Sequence, residues 1–507
     1  MAFIARFDKD VGSLFQEVWD EGGQAARLGN VSFGSRLEET IIPYLSRSII
    51  QSLEDVSWNR RKTACAALIE LCDTNILSPP PRATGENKET VTPERTQRFV
   101  VRAESSCKIL GACVKSIVTT RIWRGKEDLL KAVAKIAGNW ISSNIDAYAL
   151  LRDREQGDSD IVFPMNPVNL EKESKDLFLG DAWFSKDHEK DAVEEMDVTE
   201  DNSSAALLIS DADDESNINF SAGDSLLATD DVEDSSDKDA GNSKPTVSLS
   251  FHGLCRLLLE QGIPSEAISL TNADYLSYRA SALDSLSKIL GSMTSDEFTP
   301  YLRSAYNILA PRILPLMRNQ KVGNEEVPPV IIAKCFTCFS AAIFHDIGCT
   351  NDIEEFSLPE ITDLFKINAG TSQSAWTVRE AAALAAAKLA ERGNYVLLKR
   401  ITITEDLLAC TSFCLKDRKF WRVRLAGLQV VLSFCLRVRS QRQMGNIALG
   451  SRSKRNRTDD NDSQLIFEAI LPFKERFTDF AKACLSDNEA QVTAAASEIM
   501  TCISWWP

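Results

Sequence analysis

The sequence predicts an all-α fold: an α-solenoid of HEAT- or armadillo-like helical hairpin repeats, interrupted by a long acidic disordered insert. Three observations lead to this prediction. A motif with an aromatic residue and a cation recurs before apolar helical stretches, amphipathic stretches follow one another across short connections, and the excess acidic charge lies in one segment. Each repeat unit of such a fold cannot bury its own apolar face, so neighbouring units must stack.

The clearest helical pattern lies in residues 121–140, RIWRGKEDLLKAVAKIAGNW. The apolar residues Leu129, Val133, Ile136 and Trp140 recur at the spacing of one helix face, and Lys131 and Lys135 occupy the other. Residues 98–118 form another amphipathic stretch just upstream. A short connection between two such helices favours an antiparallel pair.

Gly125-Lys126 does not form a phosphate-binding loop. Such a loop needs a glycine five residues before Gly125 and a Ser or Thr after the lysine, whereas Thr120 and Glu127 occupy these positions.

Four copies of the repeat motif place a tryptophan three residues before a cation at the start of an apolar helix. The signature residues are Trp58 with Arg61, Trp123 with Lys126, Trp376 with Arg379, and Trp421 with Arg424. A fifth stretch, from Tyr275, has the aromatic residue, the arginine and the apolar stripe but no tryptophan. We predict a structural role for these residues, with exposed protein-binding hot spots as the alternative.

The motif can brace the junction between hairpins. We expect each indole to fill the wedge between two helices, and each tryptophan and cation, three residues apart, to stack or brace one junction. The cation can reach carbonyls at the end of the preceding helix, or an acid such as Asp55 or Asp417. The small residues in 381–383 and 385–387 allow close helix packing.

The charge divides the chain into three parts. Residues 181–239 contain 20 acidic residues and three lysines, and the remainder contains 54 basic and 53 acidic residues. We therefore predict helical repeats in 1–150 and 248–507, separated by an acidic disordered insert at 153–247 with a short helical patch at 205–209. This insert is either a solvated spacer or a contact for a basic partner.

Two loops are predicted inside the repeat regions. The proline-rich segment 78–96 cannot continue a helix. Residues 437–457 contain seven Arg or Lys and no acid, which fits a nuclear-import signal, a contact for an acidic surface, or a loop between helices.

The residue types needed for catalysis are sparse. The chain has three histidines, His188, His252 and His345, and none accompanies a motif for nucleophilic catalysis. The thirteen cysteines mostly follow apolar helix faces, which is typical of reduced, buried thiols in an intracellular protein. Cys335 and Cys338 lack the second pair that a structural zinc site needs. We therefore expect no enzyme activity, cofactor, metal, small-molecule substrate or nucleic-acid partner.

No apolar run approaches the ~18 residues of a membrane-spanning helix, so we expect no membrane insertion. Residue 1 is a methionine, but the sequence leaves open whether it is the true start of the protein.

The segment TRIWRGKEDLLKAVAKI, 120–136, resembles a stretch near the C-terminus of the large HEAT-repeat adaptor and scaffold proteins associated with the 26S proteasome. LFQEVWDEGG, GSRLEETI and QSLEDVSWNRRKTACAAL precede it in the order that this family shows. The resemblance covers 14–72 and 105–141 closely, and 274–291 and 375–435 more weakly.

The resemblance implies a C-terminal portion of a longer helical solenoid, present in cytoplasm and nucleus. It further implies binding to the 26S proteasome, bridging of its core and regulatory particles, and a role in proteasome assembly and quality control. It assigns no contact residue. Another HEAT scaffold, such as a nuclear transport receptor, is the alternative, although those proteins hold basic cargo on acidic inner helices, and these repeats are nearly neutral.

Overall fold

The computed structural model describes most of the regions that flank the acidic segment. The described residues are 33–73, 77–79, 93–119, 122–123, 125–143, 161–162, 247–248, 251–264, 273–319, 321–322, 325–370, 374–450, 458–504 and 506. The chain divides into two units, Met1–Leu179 with Val247–Pro507, and Gly180–Thr246. The second unit lies outside the described residues, as do the predicted helical patch at 205–209 and nearly all of the predicted insert.

The described part of the first unit is almost entirely helical. Its helices are α1 (Phe33–Leu53), α2 (Trp58–Asp73), α3 (Pro93–Thr119), α4 (Glu127–Ser142), α5 (Phe251–Gly262), α6 (Ala273–Gly291), α7 (Thr299–Asn319), α8 (Pro329–Ala342), α9 (Thr350–Glu355), α10 (Leu358–Gly370), α11 (Trp376–Arg392), α12 (Tyr395–Lys399), α13 (Ile401–Leu415), α14 (Trp421–Gly450), α15 (Thr458–Ile470), α16 (Lys474–Cys484) and α17 (Ala490–Ile503). Short 3₁₀ turns lie at Asp296–Phe298 and Leu471–Phe473. Two strand pairs complete it: β1 (Ile161–Val162) with β2 (Val247–Ser248), parallel, and β3 (Lys321–Val322) with β4 (Glu325–Glu326), antiparallel.

Seven helical hairpins form the described stack. In each hairpin a first helix contacts a second one: α1 with α2, α3 with α4, α5 with α6, α7 with α8, α10 with α11, α13 with α14, and α16 with α17. The second helices also contact one another in chain order, from α2 through α4, α6, α8, α11 and α14 to α17. This arrangement is all-helical and solenoid-like, as predicted.

The stack continues across the acidic segment. Helix α4 ends at Ser142 and α6 begins at Ala273, yet the two helices pack against each other. The predicted regions 1–150 and 248–507 therefore contribute neighbouring hairpins to one unit.

The apolar stripe of α4 lies in the core, as predicted. Leu129, Val133, Ile136 and Trp140 are all at most 2% exposed. Burial of each such side chain contributes about 1.5–3 kcal/mol. The indole N–H of Trp140 donates a hydrogen bond to the carbonyl of Leu77, at 2.8 Å, so the core also holds the connection between α2 and α3.

The predicted basic loop at 437–457 is wrong over most of its length, because α14 continues to Gly450. Arginine, glutamine, leucine and alanine favour helix, and no proline interrupts this stretch. Arg437 is buried inside the fold, where its guanidinium donates to the carbonyl of Glu391 at 3.0 Å and to that of Gly393. Residues 451–457 lie outside the described part of the chain.

The predicted proline-rich loop at 78–96 is too long at its C-terminal end. Helix α3 begins at Pro93, where a missing N–H costs no intrahelical hydrogen bond. Residues 80–92 lie outside the described part.

The turn after α8 requires a glycine at position 348. Gly348 has φ +104°, and an added Cβ would lie 2.5 Å from the Cβ of Leu397. The neighbouring Ile347 accepts a hydrogen bond from the N–H of Asn394, at 2.7 Å. This turn therefore packs tightly on the connection between α11 and α12.

We expect Gly348→Ala to lower the free energy of unfolding by about 2 kcal/mol or more, because it adds both backbone strain and a steric clash. The control is Gly291→Ala at the end of α6, where an added Cβ meets nothing within 4 Å; we expect it to be neutral or to stabilise by up to about 1 kcal/mol. Urea unfolding followed by circular dichroism measures both. Equal stability of the two variants would contradict the strain argument.

Candidate functional site

A set of polar contacts recurs at the turns between the two helices of a hairpin. Asp417 lies in the turn between α13 and α14, and its carboxylate accepts hydrogen bonds from the N–H groups of Lys419 and Phe420, at 3.0 and 2.9 Å. It also accepts one from the guanidinium of Arg379 in the preceding hairpin. Arg379 donates in addition to the carbonyl of Ser374, at 2.6 Å.

The same arrangement recurs one hairpin further along. The Nε and Nη2 of Arg424 donate to the two carboxylate oxygens of Asp487, at 2.7 and 2.8 Å, and its Nη1 donates to the carbonyl of Asp417, at 2.9 Å. Asp487 also accepts from the N–H of Glu489, at 3.0 Å. Three successive hairpins are thereby joined by the ladder Arg379, Asp417, Arg424 and Asp487.

The ladder side chains are mostly buried, at 9 to 15% exposure. The hydrogen bond from Arg424 lowers the pKa of Asp487. Burial opposes ionisation of Asp417, but the Phe420 N–H and Arg379 outweigh it and lower the pKa of that carboxyl group. Both acids are therefore held as carboxylates. Charge-assisted, two-pronged arginine contacts of this kind fix geometry as well as adding stability.

The junction between the second and third hairpins uses lysine instead. Lys126 is 1% exposed, and its ammonium donates to the carbonyl of Ile117, near the end of α3, at 2.8 Å. It also lies 5.6 Å from the centre of the Tyr278 ring on α6. Burial lowers the pKa of Lys126 to about 7, and the charge of Arg61 contributes to this.

Arg61 does not pair with Asp55. It donates to the Val56 carbonyl at 3.5 Å, whereas Arg60 pairs with Asp55 at 2.7 Å. Asp55 also accepts from the N–H of Ser57, at 2.8 Å, so this turn has an aspartate in the same role as Asp417 and Asp487.

Two of the tryptophans contact cations of neighbouring hairpins. The guanidinium of Arg61 lies over the ring of Trp123, in the next hairpin, at 5.7 Å. Arg422 lies over Trp376, in the preceding hairpin, at 5.8 Å. Both of these contacts join neighbouring hairpins. Among the arginines three residues after a tryptophan, Arg61 takes part in such a contact, whereas Arg379 and Arg424 bind carbonyl and carboxylate oxygens.

The four tryptophans differ in exposure. Trp58 is 48% exposed, with Lys62 over its ring at 5.3 Å, and the other three are half-buried. Trp376 stacks on Phe420, with ring centres 5.3 Å apart and planes 16° apart.

Sequence reasoning missed two of the hairpins. Helix α8 begins at Pro329 and α17 at Ala490, and neither has a tryptophan. The apolar spacing of Val492, Ala496 and Ile499 could have identified α17, because all three are buried.

The cysteines have the properties of core residues. All thirteen are free, and twelve are buried. Cys335 and Cys338 lie on α8; burial raises the pKa of Cys335 to about 12, and the thiol of Cys338 donates to the Leu283 carbonyl at 2.9 Å. Protonated, buried thiols are poor nucleophiles. Within the described ranges, no group of three or more His, Cys, Asp or Glu side chains is placed to hold a metal ion.

The exposed Cys349 and His345 each contact an aspartate. The thiol of Cys349 donates to Asp352 at 2.9 Å, and this bond raises its pKa. The Nδ1 of His345 lies 3.0 Å from a carboxylate oxygen of Asp346, whose hydrogen bond raises the histidine pKa. His188 and the side chain of His252 lie outside the described part of the chain.

None of the helices in the described part is long and apolar enough to cross a membrane. A scan against protein-family models and a search of curated proteins each found no match. The class of the protein is therefore defined by its fold: an all-helical, solenoid-like stack of hairpins.

Proposed function

We propose that this protein is a non-enzymatic scaffold of the HEAT-repeat type that binds the 26S proteasome. In this role it bridges or stabilises the core and regulatory particles, and supports proteasome assembly and quality control in cytoplasm and nucleus. The observation that carries the scaffold role is the unbroken contact between successive second helices from α2 to α17. Stacked repeats of this kind present extended surfaces for binding other proteins.

The junctions support a HEAT-type repeat. An aspartate in the turn accepts hydrogen bonds from its own turn, and Asp417 and Asp487 also bind an arginine from the preceding hairpin. This contact links the last three described hairpins to one another in a fixed register, which a rigid scaffold needs.

The choice of the proteasome as partner rests on the resemblance of residues 14–72 and 105–141 to the proteasome adaptor family. Within these segments, 33–72 and most of 105–141 belong to the first two hairpins and supply the buried stripe of α4. The resembling segments thus contribute residues to the core of these hairpins, and the resemblance supports a shared architecture.

A nuclear transport receptor is less well supported. Such a receptor needs free acidic side chains on its second helices to hold basic cargo. Here acids on these helices form ion pairs with cations of the next one: Asp73 with Lys135, Asp284 with Lys334 at 2.6 Å, and Glu380 with Arg422 at 3.3 Å.

The experiment is co-sedimentation of the tagged, full-length protein with purified 26S proteasomes in a glycerol gradient at low salt. We expect it to migrate with the proteasome and to increase the fraction of core particles that stay joined to regulatory particles after ATP is removed. An unrelated helical protein of similar size and charge is the control. Absence from the proteasome fractions would refute the proposal, and capture by a GTP-bound nuclear transport GTPase instead would favour the receptor.

A further inference from the structure

The turn between α13 and α14 carries a dense group of cations. Lys416, Arg418, Lys419 and Arg422, here called the basic turn, are all exposed. Lys416, Arg418 and Lys419 form no ion pair within the described part of the chain, and Arg422 pairs with the half-buried Glu380. The cations of the basic turn therefore present net positive charge to solvent.

Three of these cations lie over aromatic rings. The ammonium of Lys416 lies 5.6 Å from the centre of the Phe413 ring, and that of Lys419 lies 5.2 Å from the Phe420 ring. Arg422 lies over Trp376, which in turn stacks on Phe420. Cation–π contacts at exposed sites restrain long side chains, so less conformational freedom is lost when the cations bind a ligand.

The two aspartates of the ladder at this junction already have partners. Asp417 receives Arg379 and two backbone N–H groups, and Asp487 receives Arg424. Because Asp417 and Asp487 bind the arginines of the ladder, they do not pair with Lys416, Arg418 or Lys419.

Two exposed apolar side chains flank the basic turn. Phe413 is 40% exposed and lies at the end of α13, where its ring fits against Gly370; an added Cβ at Gly370 would lie 2.8 Å from that ring. Leu485 is 41% exposed and precedes Asp487, the partner of Arg424, by two residues. The surface thus combines exposed cations with exposed apolar side chains.

We propose that the basic turn, with Phe413 and Leu485, is a docking site for an acidic peptide segment of a partner protein, one in which apolar residues alternate with Asp and Glu. Complementary charge supports this occupant. A nucleic acid fits less well, because Trp376 and Phe420 stack on one another and carry cations over their rings, which leaves little ring surface for bases to stack on. The inference rests on the proposed scaffold function but not on the identity of the proteasome as partner.

The test is fluorescence anisotropy of the full-length protein with a fluorescein-labelled peptide of four Asp-Glu-Leu repeats. We expect binding that weakens as salt increases, and no binding of the matched Asn-Gln-Leu peptide. The variant K416E/R418E/K419E should weaken binding by about tenfold or more, since three exposed ion pairs are replaced by repulsion. The control R47E/K399E/R400E makes the same change of charge at exposed residues elsewhere and should alter binding by no more than about twofold.

Several results would overturn the docking site: no binding by the unmodified protein, equal weakening in both variants, or tighter binding of a single-stranded oligothymidine than of the peptide. If circular dichroism shows that K416E/R418E/K419E does not fold, K416Q/R418Q/K419Q takes its place and should show the same direction of change. Comparing peptide binding with proteasome co-sedimentation of the unmodified protein separates the two proposals. Peptide binding without co-sedimentation contradicts only the proteasome as partner, and co-sedimentation without peptide binding contradicts only the docking site.

Discussion

The protein is expected to lose stability steeply above about pH 8.5, because its buried cysteines remain protonated in the folded state. Burial raises the pKa of Cys65, Cys72, Cys335 and Cys414 each to about 12. Thiols in the unfolded chain ionise near ~8.5. Their contribution to stability is therefore fully present below pH ~8.5 and is lost as the pH rises through the pKa of the folded state.

The expected effect is large because several thiols act together. Each buried thiol contributes up to about 1.4 kcal/mol of lost stability per pH unit in this range. With several such groups, we expect the midpoint of thermal unfolding to fall by about 10 °C or more between pH 8 and pH 10. Lys126 acts in the opposite direction, since its lowered pKa makes stability rise with pH between about 7 and 10.5. The effect of this one lysine is smaller than the combined effect of the buried thiols.

Thermal unfolding under reducing conditions, at a series of pH values, measures this effect. The double variant C335A/C338A should reduce the loss of unfolding free energy per pH unit by the contribution of up to about two thiols, whatever its stability at neutral pH. Cys349→Ala removes an exposed thiol and should reduce this loss less. A midpoint independent of pH up to 10, or an equal effect of the two variants, would show that the thiols are not held protonated.

Arg424→Ala is expected to lower the free energy of unfolding by about 2–4 kcal/mol. The substitution removes three hydrogen bonds and leaves the mostly buried carboxylate of Asp487 without its cation. Because Arg424 links the hairpin of α13 and α14 to α17, the last hairpin should unfold before the rest of the stack.

Arg422→Ala is the matched control. Arg422 lies two residues away on the same helix and also forms an ion pair, but its side chain is 57% exposed. We expect it to cost less than about 1 kcal/mol. Urea unfolding and amide hydrogen exchange of α17 measure both effects. The double variant R424A/D487A should cost less than the sum of its single substitutions, and additive costs would mean that the two residues are not coupled.

The sequence allowed the helices and their buried faces to be predicted where the apolar spacing is regular. The stripe of α4 is an example, since Leu129 and Val133 are fully buried. We also expected a motif cation to reach an acid such as Asp417, and Arg379 donates to that carboxylate. Such features depend on residues close in the chain or repeated at a fixed period.

Features that depend on three-dimensional neighbours could not be predicted. The placement of Arg61 over Trp123 requires two hairpins at a given offset, and the sequence alone does not specify that offset. Basic residues at 437–457 suggested an exposed contact, but packing buries Arg437. The basic turn was not predicted, because its unneutralised charge becomes evident only once Asp417 is known to bind Arg379.

The packing of α4 on α6 has a consequence for the covalent chain. Helix α4 ends at Ser142 and helix α6 begins at Ala273, yet the two helices contact each other directly, and the ammonium of Lys126 lies 5.6 Å from the centre of the Tyr278 ring. Proteolytic cleavage between residues 180 and 246 should therefore yield two fragments that co-purify, because the packing of α4 on α6 and the pairing of β1 with β2 join them without the intervening chain. An intact chain between residues 180 and 246 is therefore not needed to keep α4 and α6 in contact.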